Sequence, residues 1–287
     1  MEDNSLEKIR EELRKRAFPS EDVVQISEAV TKEGDYSPAV PIGFPSFDDA
    51  LKGGVRDCDF IISTGISGHG KTLWCQNLTL NLIKEGHTTL WFSYEMSIDE
   101  INARFKEMGA DVSTLKVYTP KHLASGNVDW IHNKIIEAKD KFNAKYIFID
   151  HLDFLLPSKV SKSSVEHKRL LLKDVCMELK SIAIRLGVVI FLVAHVNKVR
   201  GRAIEMQDIS ETSGAYQNAD VVFGITRLTE TRKRGGKNME IFKNEGCVRI
   251  LKNRITGDCP IVDYYVDNKI IKPFEEQVQD YYEVDND

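Results

Sequence analysis

The stretch Gly65-Ile66-Ser67-Gly68-His69-Gly70-Lys71-Thr72 restricts the fold of this chain more than any other. It lies between an apolar run, Asp59 to Ser63, and an amphipathic segment, Leu73 to Lys84, closed by Gly86. That context reads strand, loop, helix, the setting of a phosphate-binding loop. Gly65 and Gly70 are expected to take backbone angles closed to other residues, so that successive amides turn toward an anion at the positive end of the helix. Gly65, Ser67, Gly68 and Gly70 would form the cradle, Lys71 would supply charge for the β- and γ-phosphates, and Thr72 would offer a hydroxyl to Mg²⁺.

The 287 residues, 42% of them hydrophobic, can bury one large α/β core. A net charge of −5 argues against whole-surface affinity for nucleic acid, so any polyanion site must be local. Five cysteines without CxxC spacing, and an N-terminus without basic and apolar regions, predict reduced thiols and an intracellular, cytoplasmic enzyme. Apolar runs all fall short of the ~20 residues that span a bilayer.

Ahead of the loop, Ser5 can cap a short helix with Leu6, Ile9 and Leu13 on one face, and a second helix follows Ser20. Residues 33–45, with Gly34, Pro38, Pro41, Gly43 and Pro45, read as a linker. After the loop, Thr88 to Tyr94 reads as a buried strand, and Ser97 with Glu100 forms a capping box for the next helix. Between them Glu95 is expected at the carboxyl end of a strand next to the phosphate-loop strand or close to it, where a carboxylate can take a proton from water.

Helix Val128 to Phe142 precedes Lys145 to Asp150, an apolar strand that delivers an acid to its tip. Asp150 is the candidate Mg²⁺-organising carboxylate. Asp153 is a nearby alternative, but it lies beyond the apolar run and reads as facing outward or capping the next loop. Residues 157–169 read as a polar loop, Leu170 to Leu186 as a helix, and Val188 to Ala194 as a strand ending at His195, a candidate γ-phosphate sensor. Lys198, Arg200 and Arg202, with Ser213 and Gly214 in the stretch from Asp208 to Asp220, supply charge and amides suited to a nucleic-acid backbone. Val221 to Thr226 and Cys247 to Leu251 read as strands, with a hairpin tip at 232–238. Lys252 and Arg254 alternate with Asn253, so both cations share one face of an extended chain, an arrangement suited to a triphosphate. The tail from Glu275 carries six acids and reads as disordered.

Taken together, Gly65–Thr72, Phe92 to Ser97, Ile147 to Asp150, Asp208 to Asp220 and Lys252 to Arg254 resemble the RecA-like domain of DnaB-family hexameric replicative helicases, including phage primase-helicases. The resemblance covers about residues 40–274. It implies an α/β P-loop NTPase core with a mostly parallel central sheet flanked by helices. It divides the chain into an N-terminal helical linker that docks on a neighbouring subunit (1–39), the ATPase/helicase domain (40–274) and the acidic tail (275–287).

It further implies that ATP with Mg²⁺ sits between subunits of a homo-oligomeric ring. Lys71, Thr72, Glu95, Asp150 and His195 would come from one copy, and Lys252 and Arg254 from the next. The loops around 197–202 and 208–216 would line the channel and hold single-stranded DNA, unwinding would run 5′ to 3′, and a primase, loader or polymerase would be partners. Three departures stand out: His195 replaces a Gln of bacterial members, no collar or zinc-binding primase segment is expected before residue 40, and Asp57-Cys58-Asp59 replaces a glycine-containing turn. Two competing readings are a recombination ATPase of RecA or RadA type that coats single strands without unwinding, and a non-catalytic partner in another helicase's ring.

Overall fold

In the computed structural model, residues 37–119, 127–156, 165–196, 202–210, 216–234 and 237–274 are described. The expected N-terminal helices, Lys198, Arg200, Ser213, Gly214 and the acidic tail lie outside them. From Ala39 onward the described chain belongs to one compact unit.

Its elements are α1 (Pro45–Ala50), β1 (Phe60–Gly65), α2 (Lys71–Lys84), β2 (Thr89–Ser93), α3 (Ile98–Glu107), β3 (Leu115–Tyr118), α4 (Val128–Phe142), β4 (Tyr146–Asp150), α5 (Val165–Leu186), β5 (Val189–His195), α6 (Met206–Ser210), β6 (Val221–Arg234), β7 (Lys237–Asn253), β8 (Ile261–Asp267) and β9 (Ile270–Pro273). They build one sheet in the order β3-β2-β4-β5-β1-β6-β7-β8-β9. The strands from β3 to β6 run parallel, and β7 to β9 extend the sheet antiparallel. The mostly parallel sheet with flanking helices is the predicted fold class.

The central strands β2, β4 and β5 are largely apolar because both faces are covered, and successive side chains serve opposite cores. Phe60, Ile62, Phe92, Ile147, Ile149, Ile190 and Leu192 join Ile131 and Ile135 of α4 and Leu179 and Ile182 of α5. Ile61, Trp91, Phe148 and Phe191 join Trp74 and Leu78 of α2 and Ile101 and Phe105 of α3. On that second face the register pairs Trp91 with Phe148 and Phe148 with Phe191. Their rings stack at 5.2 and 4.5 Å, tying β2, β4 and β5 into one rigid block.

Several local expectations are corrected. Part of the expected linker belongs to the core: Ile42 and Phe44 are buried, Val40 pairs with Val55, and the Asp48 carboxylate accepts from the amides of Ile42, Gly43 and Phe44. Helix α5 begins at Val165, inside the stretch read as a loop, and β6 and β7 run well past the predicted strands. The turn before β1 keeps its left-handed backbone without glycine, with φ +75° at Cys58. The hairpin tip is placed as expected, with Arg234 paired to Lys237.

Candidate nucleotide site

Every parallel strand delivers its carboxyl end to one edge of the sheet, the edge where ligands bind in open α/β sheets. Gly65 lies beside His195 in the β1/β5 register, and Ser93 beside Asp150 in the β2/β4 register. Glu95 therefore reaches the same edge as the phosphate loop, although β4 and β5 separate its strand from β1. The prediction that β2 adjoins β1 or lies close to it holds only in the looser sense, since strands β4 and β5 intervene.

The loop is shaped by three glycines for two different reasons. Gly68 and Gly70 hold φ values of +83° and +92°, which side chains resist. Gly65, expected to do the same, has no such angle; a Cβ there would stand 2.7 Å from the carbonyl oxygen of Ile225 on β6. Its role is close approach of two backbones. His69 anchors the loop from the other side, its Nδ1 accepting from the amide of Arg227 at 3.1 Å. Helix α2 starts at Lys71 behind Gly70 with no side-chain cap, so its first amides remain available to an anion.

Lys71 is 5% exposed and donates to the carbonyl of Ile66 at 3.0 Å. Burial pulls its pKa down to about 8, against the opposing pull of Asp150 and Glu95. Thr72 donates to Asp150 Oδ2 at 2.8 Å. Asp150 is buried, and desolvation pushes its carboxyl up despite the Thr72 hydroxyl. A buried carboxylate beside a hydroxyl offers the oxygen ligands a hard divalent cation takes, completed by phosphate oxygens. Donor chemistry, free helix amides and a desolvated lysine together fit a nucleoside triphosphate with Mg²⁺.

Two residues next to this group were missed or set aside. His151, directly after Asp150, is 6% exposed. Its Nδ1 lies 3.1 Å from Glu95 Oε1 without the alignment of a hydrogen bond. Asp153, expected to face outward, turns back instead: its Oδ2 is 3.6 Å from His151 Nε2 and 3.5 Å from His195 Nδ1. The strand-tip logic that selected His195 applies equally to His151 and could have found it.

Lys252 and Arg254 do converge on one face, both donating to the carbonyl of Gln217, at 2.8 and 2.5 Å. They sit toward the opposite edge of the sheet from their own phosphate loop. Lys252 is level with Val222 and hence Ile62, while the Arg254 amide bonds Asp220, whose own amide bonds Phe60. At ~3.3 Å per residue, that is about 10 Å and about 16 Å short of Gly65 along β1. Arg202, predicted as a cation for a nucleic-acid backbone, forms a two-pronged pair with Asp208 at 2.7 and 2.6 Å.

A family model described as an AAA domain matches residues 42–201, more than half of the chain. This chain belongs to the AAA domain family. Relatives of this AAA-domain chain include the DNA repair protein RadA of Bacillus subtilis (strain 168), 25% identical over 247 residues and 83% of the chain. Another is a probable replicative DNA helicase of Trieres chinensis, 26% identical over 274 residues and 78% of the chain. The chain spans only 51% and 58% of those relatives' lengths. A solved ATPase domain shares the fold at a TM-score of 0.64 and 18% identity, with 87% of this chain and 96% of that one covered. Among the described residues no helix is long and apolar enough to cross a membrane.

Proposed function

We propose that this chain is the motor domain of an ATP-dependent replicative DNA helicase that works inside the cell as a ring, hexameric by resemblance. The observation that carries this reading is the separation of the cations from the loop. Lys252 and Arg254 lie toward the sheet edge away from their own phosphate site, so a complete site needs a second copy that presents them across a seam. One relative is a probable replicative helicase, which supports DNA as the track.

In the proposed site, the amides of the loop and Lys71 hold the phosphates of ATP. Glu95 takes the proton of the attacking water, and His151, 3.1 Å away, limits where that carboxylate can turn. His195 touches the γ-phosphate and reports its presence. Arg254 and Lys252 of the next copy meet the charge that develops on the γ-phosphoryl group, a contribution of ~10³–10⁵ in turnover for such fingers in other NTPases. Mg²⁺, held by Thr72 and Asp150, would neutralise phosphate charge. Lys198, Arg200, Ser213 and Gly214 are proposed to hold single-stranded DNA, with movement 5′ to 3′ and a primase, loader or polymerase as partners.

Glu95→Gln and Arg254→Ala should each abolish DNA-stimulated ATP hydrolysis while nucleotide binding persists, measured by phosphate release and by fluorescent-nucleotide titration. Full hydrolysis in either variant would refute the assignment. The RadA relative favours a second reading, a recombination or repair ATPase on DNA. A strand-displacement assay separates the two, since a coating ATPase hydrolyses ATP on single strands yet releases no duplex. Failure of the assembled wild-type protein to hydrolyse ATP would instead indicate a non-catalytic ring partner.

A further inference from the structure

Beyond Asp150 the chain makes a tight turn, Leu152–Leu155, pinned by the buried Leu152 and Leu155. Phe154 packs on the His151 ring at 4.7 Å and stacks on Tyr94. This turn carries Asp153 back toward two imidazoles that meet edge to face, their centres 4.3 Å apart. One donor atom from each of His151, Asp153 and His195 lies within 4.8 Å of the other two. The two carboxylate-to-nitrogen separations are 3.6 and 3.5 Å. Ligands bound at ~2.0–2.1 Å to a tetrahedral ion stand roughly 3.3 Å apart, so small side-chain rotations bring these atoms onto one ion.

The donor chemistry differs from that of Thr72 and Asp150. Two imidazole nitrogens and one carboxylate suit a borderline ion such as Zn²⁺, whereas Mg²⁺ prefers oxygen. A carboxylate for the outer contact stands close by. A ligating histidine hands its other ring N–H to a carboxylate or carbonyl, and His151, offering Nε2 inward, keeps its unpartnered, buried Nδ1 3.1 Å from Glu95, so that a small rotation would complete the hydrogen bond. His195 and Asp153 are partly exposed, which leaves an entry path.

We propose that His151, Asp153 and His195 form a transition-metal site, selective for Zn²⁺ over Mg²⁺, and that its occupation silences turnover at the adjoining nucleotide site. Bound metal holds the His151 N–H against Glu95 and withdraws His195 from the γ-phosphate. The binding half stands on geometry alone; the inhibitory half rests on the proposed function.

The test is a Co²⁺ titration of the metal-free full chain followed by visible absorption. A tetrahedral d–d band saturating at one equivalent, displaced by Zn²⁺ and not by millimolar Mg²⁺, is expected. Asp153→Asn and His195→Ala should each weaken Co²⁺ binding at least tenfold, while thermal melts show that both remain folded. Absence of a one-equivalent band, unchanged binding in both variants, or near-ultraviolet thiolate-to-cobalt charge transfer overturns the site. In the second arm, Zn²⁺ should inhibit ATP hydrolysis by the wild type at least tenfold more strongly than by Asp153→Asn, whose basal rate is kept. Zn²⁺ that binds yet leaves wild-type turnover intact overturns the inhibitory half. Co²⁺ binding by a chain that hydrolyses no ATP preserves the metal site and sinks the motor reading instead.

Discussion

At the scale of single residues, Lys71 is held in a costly state that a ligand relieves. Buried beside its loop, it titrates near 8 instead of 10.5, with desolvation outweighing Asp150 and Glu95. The neutral form therefore gains population as pH rises through 8. A bound triphosphate adds negative charge beside the ammonium and pulls its pKa back upward. Binding must then take up a proton wherever free Lys71 is neutral and bound Lys71 is charged. Calorimetry at pH 8.5 in buffers of different ionisation enthalpy should show net proton uptake, close to none at pH 6.5, with affinity falling as pH climbs from 7 to 9. Lys71→Arg should remove the uptake, since a guanidinium stays protonated throughout.

Among elements, the unit of strand β1, loop and helix α2 depends on a neighbour the loop sequence does not reveal. Gly65 touches the Ile225 carbonyl of β6, so Gly65→Ala must push two paired strands apart. A loss of about 1–3 kcal/mol is expected, in the range of overpacked cores, read as a lower thermal midpoint before any nucleotide is added. Strands β1, β2, β4 and β5 were legible because both faces are buried and each carries a run of at least three consecutive apolar residues. Asp150 and His195 were legible as the polar residues ending such runs. The outer halves of β6 and β7 were not, because Leu228, Ile241 and Phe242 remain exposed and the alternation that marks a half-buried strand is lost. Asp153 escaped because its position depends on how Leu152 and Leu155 anchor a turn. Arg202 escaped because its partner, Asp208, stands across a loop whose closure no periodicity encodes.

At the scale of the whole molecule, the proposed ring makes the active site a property of pairs of copies, because Lys252 and Arg254 lie away from their own loop. Lys71→Ala keeps the cations and loses the loop charge; Arg254→Ala does the reverse. Each should be inactive alone. Mixed in equal amounts and allowed to assemble, they should regain about a quarter of wild-type hydrolysis, because in a head-to-tail arrangement that fraction of seams joins an intact loop to an intact arginine. No recovery on mixing would place both groups in a single copy. The same placement also dictates what a growing assembly leaves behind. Any open row of copies ends with one loop that no arginine reaches and begins with one arginine that serves no loop. Joining the two ends abolishes both idle surfaces at once, so closure raises the number of working sites without adding a single molecule.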